Sequence, residues 1–365
     1  MLKLRRGTVA STDPLRVDVD GIERPAWADP ALVGEIERGD EVIVNTEALD
    51  LGLGSGGFDL VHANLTRGLS GEGSRGGNVM KLNYTSLQHP VDPVETPLDG
   101  EDQATAAPGP GTGPGYRSPV LVLPLHGHLA PAAWAAAQTV PELAVGYVQT
   151  AGGALPGTLS RDVSELRSRG LLAGHVTAGP AFGGEREAVS VLGALDAAAG
   201  LGWRAVIAGP GPGILGSATR YGHGGISALD TAHAALALRL PTLISPRLSG
   251  ADSRSRHHGL SHHTAAVLEL ALAPVAVPVP EVEVTAWPTP EGGSGPGPEP
   301  GMLDELREAC ADRHDLIVQP VDLEGYARSG LPARAMGRGI EDDPLFFAAG
   351  LAAGRALATA ATEAT

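Results

Sequence analysis

The segment from Arg247 to Thr264 has the highest density of chemically active side chains in the sequence. It reads RLSGADSRSRHHGLSHHT, and it follows a predicted strand and precedes a predicted helix. Its candidate metal ligands are His257, His258, His262, His263 and Asp252. A neutral imidazole nitrogen and a carboxylate oxygen each donate a lone pair that Zn²⁺ or another divalent ion accepts. The segment therefore predicts a divalent metal site, although it lacks an HExxH motif.

Three residues of this segment are the predicted catalytic group: Asp252, His258 and His262. His258 and His262 share a helix face if the following helix starts early enough. His126 and His128 follow the first strand of the same predicted sheet and are further candidate ligands. Because the carboxyl ends of parallel strands are where ligands bind, we expect both segments at that edge of the sheet.

The predicted substrate-binding residues are Ser217, Thr219, Arg220, Arg247 and Arg256. The two arginines of the histidine-rich segment carry guanidinium groups that bind phosphate or carboxylate in a bidentate way. The other three residues end the glycine-rich turn that begins at Gly209, which follows a predicted strand as phosphate-binding loops do. That turn lacks the lysine of a P-loop, so the pattern indicates a smaller anion than a nucleoside triphosphate.

Both sites have a structural alternative. Histidine rings also bond loop carbonyls or the ends of helices, and a glycine-rich turn can serve only to reverse the chain. The sequence leaves a metal site, an anion site and a structural loop open at this point.

Two apolar patterns divide the chain into a β-rich part and an α/β part. Residues 7–20 and 58–65 alternate apolar and polar side chains at the period of a half-buried strand. Beyond residue 118, apolar runs alternate with helical segments, one of them predicted over 185–199. The predicted fold class is α/β, with a mainly parallel sheet, helices on both of its faces and a small N-terminal β-barrel-like domain.

Stretches rich in proline and glycine set the predicted domain boundaries. We expect a β-barrel-like domain over 1–95, a linker over 96–118, an α/β domain over 119–279, a linker or loop over 280–300, and a C-terminal α/β unit over 301–365 that completes the second domain.

The acidic composition limits the classes of partner. The formal net charge is -16, from 26 basic and 42 acidic residues. This charge repels phosphate backbones and anionic lipid, so we expect neither nucleic acid nor membrane as a partner. No apolar run or signal-peptide pattern indicates export, so we expect a cytoplasmic protein. The single cysteine, Cys310, is expected to be structural.

Six separated segments form one ordered set: NTEALDLGLGSGGFDLVHANL, TAGGALPGTLS, GPAFGGEREAV, GPGPGILGSATRYGHGG, RLSGADSRSRHHGLSHHT and MGRGIEDDPLFFAAG. Together they resemble the DUF3866 family of uncharacterised bacterial proteins. The resemblance spans almost the whole chain apart from the two proline- and glycine-rich stretches. It implies a relationship, and it carries over no reaction and no catalytic residues.

The residues themselves favour a metal-assisted hydrolase that acts on a small anionic metabolite, with a divalent metal as cofactor. In this hypothesis the ion lowers the pKa of a bound water towards ~7, and Arg247 or Arg220 neutralises the substrate's charge. The alternative is a non-catalytic metabolite-binding or scaffold protein that uses its N-terminal barrel for interactions. Metal content, together with loss of activity on chelation, separates the two. The sequence leaves open whether the chain forms a homo-oligomer.

Overall fold

The computed structural model describes residues 1–54, 56–71, 73, 76–95, 117–217, 219–281, 287–288, 294–295 and 301–364. The chain divides into two compact units, residues 1–92 and residues 93–365. Of the two predicted linkers, residues 96–116 and most of 280–300 lie outside the described residues. The predicted C-terminal α/β unit over 301–365 lies in the same unit as the α/β domain over 119–279.

The first unit is a closed barrel of five strands with a short hairpin after it. Its strands are β1 (Leu4–Thr12), β2 (Leu15–Val19), β3 (Ile22–Trp27), β4 (Glu41–Asn45), β5 (Asp59–Asn64), β6 (Val79–Lys81) and β7 (His89–Val91), and its helices are α1 (Pro30–Val33) and α2 (Glu47–Asp50). The barrel order is β1-β2-β3-β5-β4, and β6 pairs with β7. Valines that alternate along the strands fill the interior, among them Val9, Val17 and Val44.

The alternating pattern of residues 7–20 spans two strands. β1 and β2 form an antiparallel pair on either side of a turn at Asp13-Pro14. β3 had no clear signal, because its sequence IERPAW combines charged residues with a proline. The barrel closes through β1 and β4, so all five barrel strands have two neighbours.

The second unit is built on a larger sheet. Its strands are β8 (Val120–Val122), β9 (Val145–Thr150), β10 (Gly174–Ala178), β11 (Arg186–Ala188), β12 (Ala205–Pro210), β13 (Thr242–Ile244), β14 (Leu248–Ser249), β15 (Gly259–Leu260), β16 (Ala276–Pro280), β17 (Trp287–Pro288), β18 (Ser294–Gly295), β19 (Asp315–Gln319), β20 (Arg334–Ala335) and β21 (Arg338–Gly339). Its helices are α3 (Leu129–Thr139), α4 (Arg161–Ser168), α5 (Val191–Ala197), α6 (Ser227–Ala237), α7 (His262–Leu270), α8 (Asp304–Cys310), α9 (Leu323–Arg328) and α10 (Pro344–Glu363).

Eight parallel strands form the sheet in the order β11-β10-β9-β12-β8-β13-β16-β19. α6 and α10 both pack against β8, β12 and β13, and α3 packs beside α10. The α/β architecture with an N-terminal barrel is thus the predicted one. Because β12, β8 and β13 are neighbours, the loops that follow them meet at one edge of the sheet.

One predicted helix is wrong in its first half. Residues 185–199 were expected to be helical throughout, but β11 (Arg186–Ala188) forms the edge of the sheet beside β10. The helix begins only at Val191, after Ser190 caps its first turn by accepting a hydrogen bond from the N–H of Gly193. The segment therefore contains a strand and a shorter helix.

The long C-terminal helix α10 packs closely on α3. A methyl group at Gly354 would lie 2.0 Å from the carbonyl oxygen of Ala132, so only glycine allows the two backbones to approach this closely. α10 is long and apolar enough to qualify as a membrane span, but 78% of its apolar window is buried inside the structure. Such burial is typical of a core helix.

Candidate functional site

Four imidazole rings of the second unit form one group, here called the histidine cluster: His223, His257, His262 and His263. The ring centroids of His223 and His263 are 3.7 Å apart, and those of His262 and His263 are 4.4 Å apart. The ring of His257 lies 4.8 Å from each of the two rings of α7. Each of the four rings thus lies within 4.8 Å, centroid to centroid, of at least one other ring of the cluster.

Two loops at the carboxyl edge of the sheet supply the cluster. His223 comes from the loop after β12 and directly precedes the 3₁₀ turn Gly224–Ile226, which leads into α6. The other three histidines follow β13. The antiparallel pair β14–β15 closes the loop that contains His257, and His262 and His263 are the first two residues of α7.

Ser261 couples two members of the cluster. Its hydroxyl caps α7 by accepting a hydrogen bond from the backbone N–H of His263. The same oxygen lies 2.7 Å from Nδ1 of His257. One serine therefore sets both the start of the helix and the orientation of the His257 ring.

Backbone carbonyls fix which nitrogen carries the proton in two of the rings. Nε2 of His223 lies 3.1 Å from the carbonyl oxygen of Arg220, and Nδ1 of His262 lies 3.3 Å from that of Arg256. Since a carbonyl only accepts, each of these nitrogens is the donor, and the opposite nitrogen of each neutral ring keeps its lone pair. Nδ1 of His223 is buried and has no hydrogen-bond partner among the described residues.

Three rings offer nitrogens in a metal-binding arrangement. One ligand nitrogen from each of His223, His262 and His263 lies within 4.8 Å of the other two. Zinc with bonds of about 2.0 Å to three or four such ligands needs nitrogen separations of about 3.3 Å. Side-chain rotations that move these nitrogens by roughly an ångström would bring them to the separation that zinc needs.

Burial keeps the imidazoles neutral. Desolvation is the main cause that lowers the pKa of His263 to about 2 and that of His257 to about 3. It also lowers the pKa values of His223 and His262, and the charge of Arg247 lowers all four. The neutral ring is the form that can donate a lone pair to a metal ion, so burial favours the protonation state that a metal ligand needs.

A second group, the arginine–aspartate group, consists of Arg247, Arg254, Arg338, Asp252 and Asp343. Oδ2 of Asp252 lies 3.2 Å from Arg247, 2.7 Å from Arg254 and 3.2 Å from Arg338. Arg338 also pairs with Asp343, which accepts hydrogen bonds from the hydroxyl of Ser249 and the N–H of Gly250. Arg254 is the first cause that holds the pKa of Asp252 well below its usual range.

The predicted catalytic residues are separated in the structure. His262 belongs to the histidine cluster, and Asp252 belongs to the arginine–aspartate group. His258 is exposed, and none of the ring contacts among the described residues involves it. The expected helical pairing of His258 with His262 does not form, because β15 is extended between them and α7 begins only at His262.

Two predicted ligands lie in other hydrogen-bonded networks. Nδ1 of His126 lies 3.1 Å from the carbonyl oxygen of Pro210, and its Nε2 lies 2.7 Å from Oγ of Ser160. Nδ1 of His128 lies 2.8 Å from Oγ of Ser245, and its ring packs on Phe346 at 4.5 Å. Neither ring contacts the histidine cluster within the part of the chain that the structure describes.

The predicted substrate-binding residues also have different surroundings. Ser217 and Thr219 bond each other at 2.9 Å and bond the backbone of Gly222, so they hold the turn before His223 together. Arg220 forms an exposed ion pair with Glu269. Arg256 is exposed, while Arg247 is buried beside Asp252.

Sequence reasoning missed His223 as a member of the histidine cluster. It indicated that Arg338 is free to face a ligand but did not assign it to a site. His223 follows the glycine-rich turn in the motif RYGHGG, so its position after a predicted strand was an available signal. Arg338 lies in MGRGIEDD, close to Asp343. Their proximity to the Arg247–Thr264 segment depends on strand order, which the sequence does not reveal.

Comparison with known proteins identifies the family. The family model described as a protein of unknown function, DUF3866, matches residues 25–354. No curated protein and no solved structure matches the chain. The match covers nearly the whole chain and agrees with the six ordered segments. The chain belongs to the DUF3866 family.

Proposed function

We propose that the second unit is a metal-assisted hydrolase that acts on a small anionic metabolite. The observation that carries this proposal is the convergence of ligand nitrogens from His223, His262 and His263 within 4.8 Å. Three histidines with a remaining open position are the ligand set of catalytic zinc sites, whereas structural zinc sites are closed by four protein ligands.

Each protein group has a separate role in this proposal. The three imidazoles hold a divalent ion, and the carbonyls of Arg220 and Arg256 orient two of them as outer-shell acceptors. A divalent ion held by these residues would lower the pKa of a bound water towards ~7 and would so supply a nucleophile at neutral pH. His257 lies against the ligand rings, and Ser261 fixes its orientation, so we assign it to positioning them.

Asp252 has a different role from the one that the sequence indicated. A general base works best with a pKa near the operating pH, whereas the pKa of Asp252 lies far below it because Arg254 donates to the carboxylate. We assign Asp252 to positioning Arg247 and Arg338. His258 has no role in this proposal, since it is exposed and outside the cluster.

A direct test combines metal analysis with hydrolysis assays. The full chain, loaded with Zn²⁺, is expected to bind about one ion and to hydrolyse small phosphate or carboxylate esters, with activity lost on chelation and restored by the metal. His263→Ala should lose both properties, and His258→Ala should keep both. Absence of metal binding by the wild-type chain, or activity that survives complete chelation, would overturn the proposal.

The alternative is a non-catalytic anion-binding protein. The observation that favours it is the buried guanidinium of Arg247, whose charge lowers the pKa of all four rings of the cluster. Such a protein would bind a small anion in the chelated state and would hydrolyse nothing. For either function we propose a cytoplasmic location, which the net charge of -16 and the burial of α10 support.

A further inference from the structure

Arg247 is built into the wall of the histidine cluster. Its backbone N–H donates to Oγ1 of Thr264 at 2.9 Å, and its carbonyl accepts from the N–H of Ser261 at 3.0 Å. These bonds fix Arg247 against the first turn of α7, which carries His262 and His263. The charge of Arg247 also lowers the pKa of every ring in the cluster, as expected of a close neighbour.

The guanidinium of Arg247 is buried and only partly used. Its side chain is 6% exposed, and Nη2 contacts Oδ2 of Asp252 and Sδ of Met336, each at 3.2 Å. The Nε–H is buried and has no hydrogen-bond partner among the described residues. A buried charged group with an unpartnered donor is destabilised, so this Nε–H is a strong donor towards an anion that enters.

The arginine–aspartate group carries one positive charge more than its ion pairs neutralise. Three guanidinium groups share the carboxylates of Asp252 and Asp343. A divalent ion on neutral imidazoles would add two further positive charges beside this surplus. Like charges at short range in a buried site repel strongly unless an anion lies between them.

We propose that Arg247 forms the anion subsite of the cluster and that the anion is a phosphate dianion, so that the substrate is a phosphomonoester. This inference rests on the proposed function in one respect, the presence of a metal ion in the cluster. A phosphate group presents several oxygens, so one can contact the ion while another accepts from Nε of Arg247. A carboxylate offsets one positive charge of this site, and a phosphate monoester offsets nearly two at neutral pH.

The test measures binding of inorganic phosphate to the full chain, without reference to activity. The chain is loaded with Co²⁺, whose visible spectrum reports changes in its ligands, and phosphate is titrated in parallel with acetate and chloride. The same titrations are run by calorimetry on the chelated protein. The variants are Arg247→Met and the control Arg186→Met, which removes an exposed arginine from the edge strand β11 of the same unit.

We expect phosphate to bind the Co²⁺-loaded chain and to shift its spectrum, with acetate much weaker. Arg247→Met should weaken phosphate binding roughly 10- to 100-fold, the range expected for a hydrogen bond to a charged group. It should retain Co²⁺, because Arg247 is not a ligand and its removal lowers the repulsion. Arg186→Met should bind phosphate as the wild type does.

Three results would overturn the subsite: equal phosphate affinity in Arg247→Met, acetate binding as tight as phosphate, or Co²⁺ binding with no response to phosphate. The last result leaves the metal site intact. A chain that binds no Co²⁺ contradicts the proposed function instead, and calorimetry on the chelated protein then decides the subsite through its dependence on Arg247. Circular dichroism checks the fold of all variants. Arg247→Lys keeps the positive charge, so a folded Arg247→Lys variant that binds phosphate weakly shows that the loss of binding does not come from loss of the fold.

Discussion

The rings of His223 and His263 stack face to face, with centroids 3.7 Å apart and planes 8° from parallel. One ring belongs to the loop after β12 and the other to the first turn of α7. Two protonated rings could not remain this close in a buried site, so the arrangement requires at least one neutral imidazole. The mutual effect is part of what lowers the pKa of His263, after burial itself.

The first prediction is that the stacked pair is required for metal binding. His223→Ala and His263→Ala should each weaken Zn²⁺ or Co²⁺ binding by roughly a hundredfold or more, because loss of an outer-shell partner alone costs 10- to 100-fold. His258→Ala is the matched control, since it removes an exposed histidine next to the cluster. Elemental analysis and Co²⁺ titration measure the effect. Equal losses in all three variants would show that the cluster is not the binding site.

The second prediction concerns Gly225, which lies beneath the stacked pair. A methyl group there would be 3.1 Å from the carbonyl oxygen of Pro124, 3.2 Å from Nδ1 of His263 and 3.3 Å from Nδ1 of His223. Gly225→Ala should displace both rings, weaken metal binding and lower the free energy of unfolding by about 1–3 kcal/mol, as overpacking does.

Gly216→Ala is the control for this change. A methyl group at Gly216 has an ordinary contact of 3.8 Å with the Cβ of His223, although the residue pairs with His223 across the same turn. Its metal affinity should stay at the wild-type value, and its stability should change by less than about 0.5 kcal/mol. Metal affinity retained in Gly225→Ala would show that the two Nδ1 atoms do not face the bound ion.

The third prediction is that Ser261 links stability to metal affinity. Ser261→Ala removes the cap of α7 and should lower the free energy of unfolding by about 1 kcal/mol. Loss of the cap also loosens the first turn of α7, which carries the ligands His262 and His263, so metal or phosphate affinity should fall with it. Ser261→Thr keeps the hydroxyl and should restore most of both losses. Urea denaturation and Co²⁺ titration give the two readouts, and a stability loss without a change in Co²⁺ or phosphate affinity would restrict Ser261 to capping.

The sequence predicted the segment that supplies most of the cluster, because four histidines after a strand are visible without a structure. It also predicted the parallel sheet, since strands and helices that alternate leave few other arrangements. His223 was missed because it meets His263 only through the neighbouring positions of β12, β8 and β13. Strand order arises from tertiary packing, and no local pattern in the sequence encodes it.

The residues His257 and His258 show a second limit of sequence reasoning. They are adjacent and identical in type, yet one ring is buried in the cluster and the other is exposed. The 3₁₀ turn Ser255–His257 ends between them, and the chain then becomes extended. The expected pairing of His258 with His262 required a helix that starts about four residues earlier, and helix boundaries are the least certain feature of a sequence pattern.

The fourth prediction concerns acid stability and involves His175, which lies outside the cluster. Burial lowers the pKa of His175 to about 4, from an ordinary value of 6.5. Between these two values the unfolded chain binds one proton that the folded chain does not, so stability rises with pH there and falls as the pH decreases. The contribution of His175 is a loss of about 1.4 kcal/mol for each pH unit below 6.5.

His175→Gln removes the titrating imidazole ring, whose centroid lies 5.3 Å from that of the Tyr147 ring in a stacked arrangement. The variant should be less stable than the wild type at neutral pH, because it loses that packing. Its stability should nevertheless fall less steeply with acid, so the difference between the two proteins narrows by about 1.4 kcal/mol for each pH unit below 6.5. Urea denaturation at several pH values measures both slopes, and His258→Gln, which removes an exposed histidine, is the control. Parallel slopes for His175→Gln and the wild type would mean that His175 takes up its proton in the folded state near its ordinary pKa.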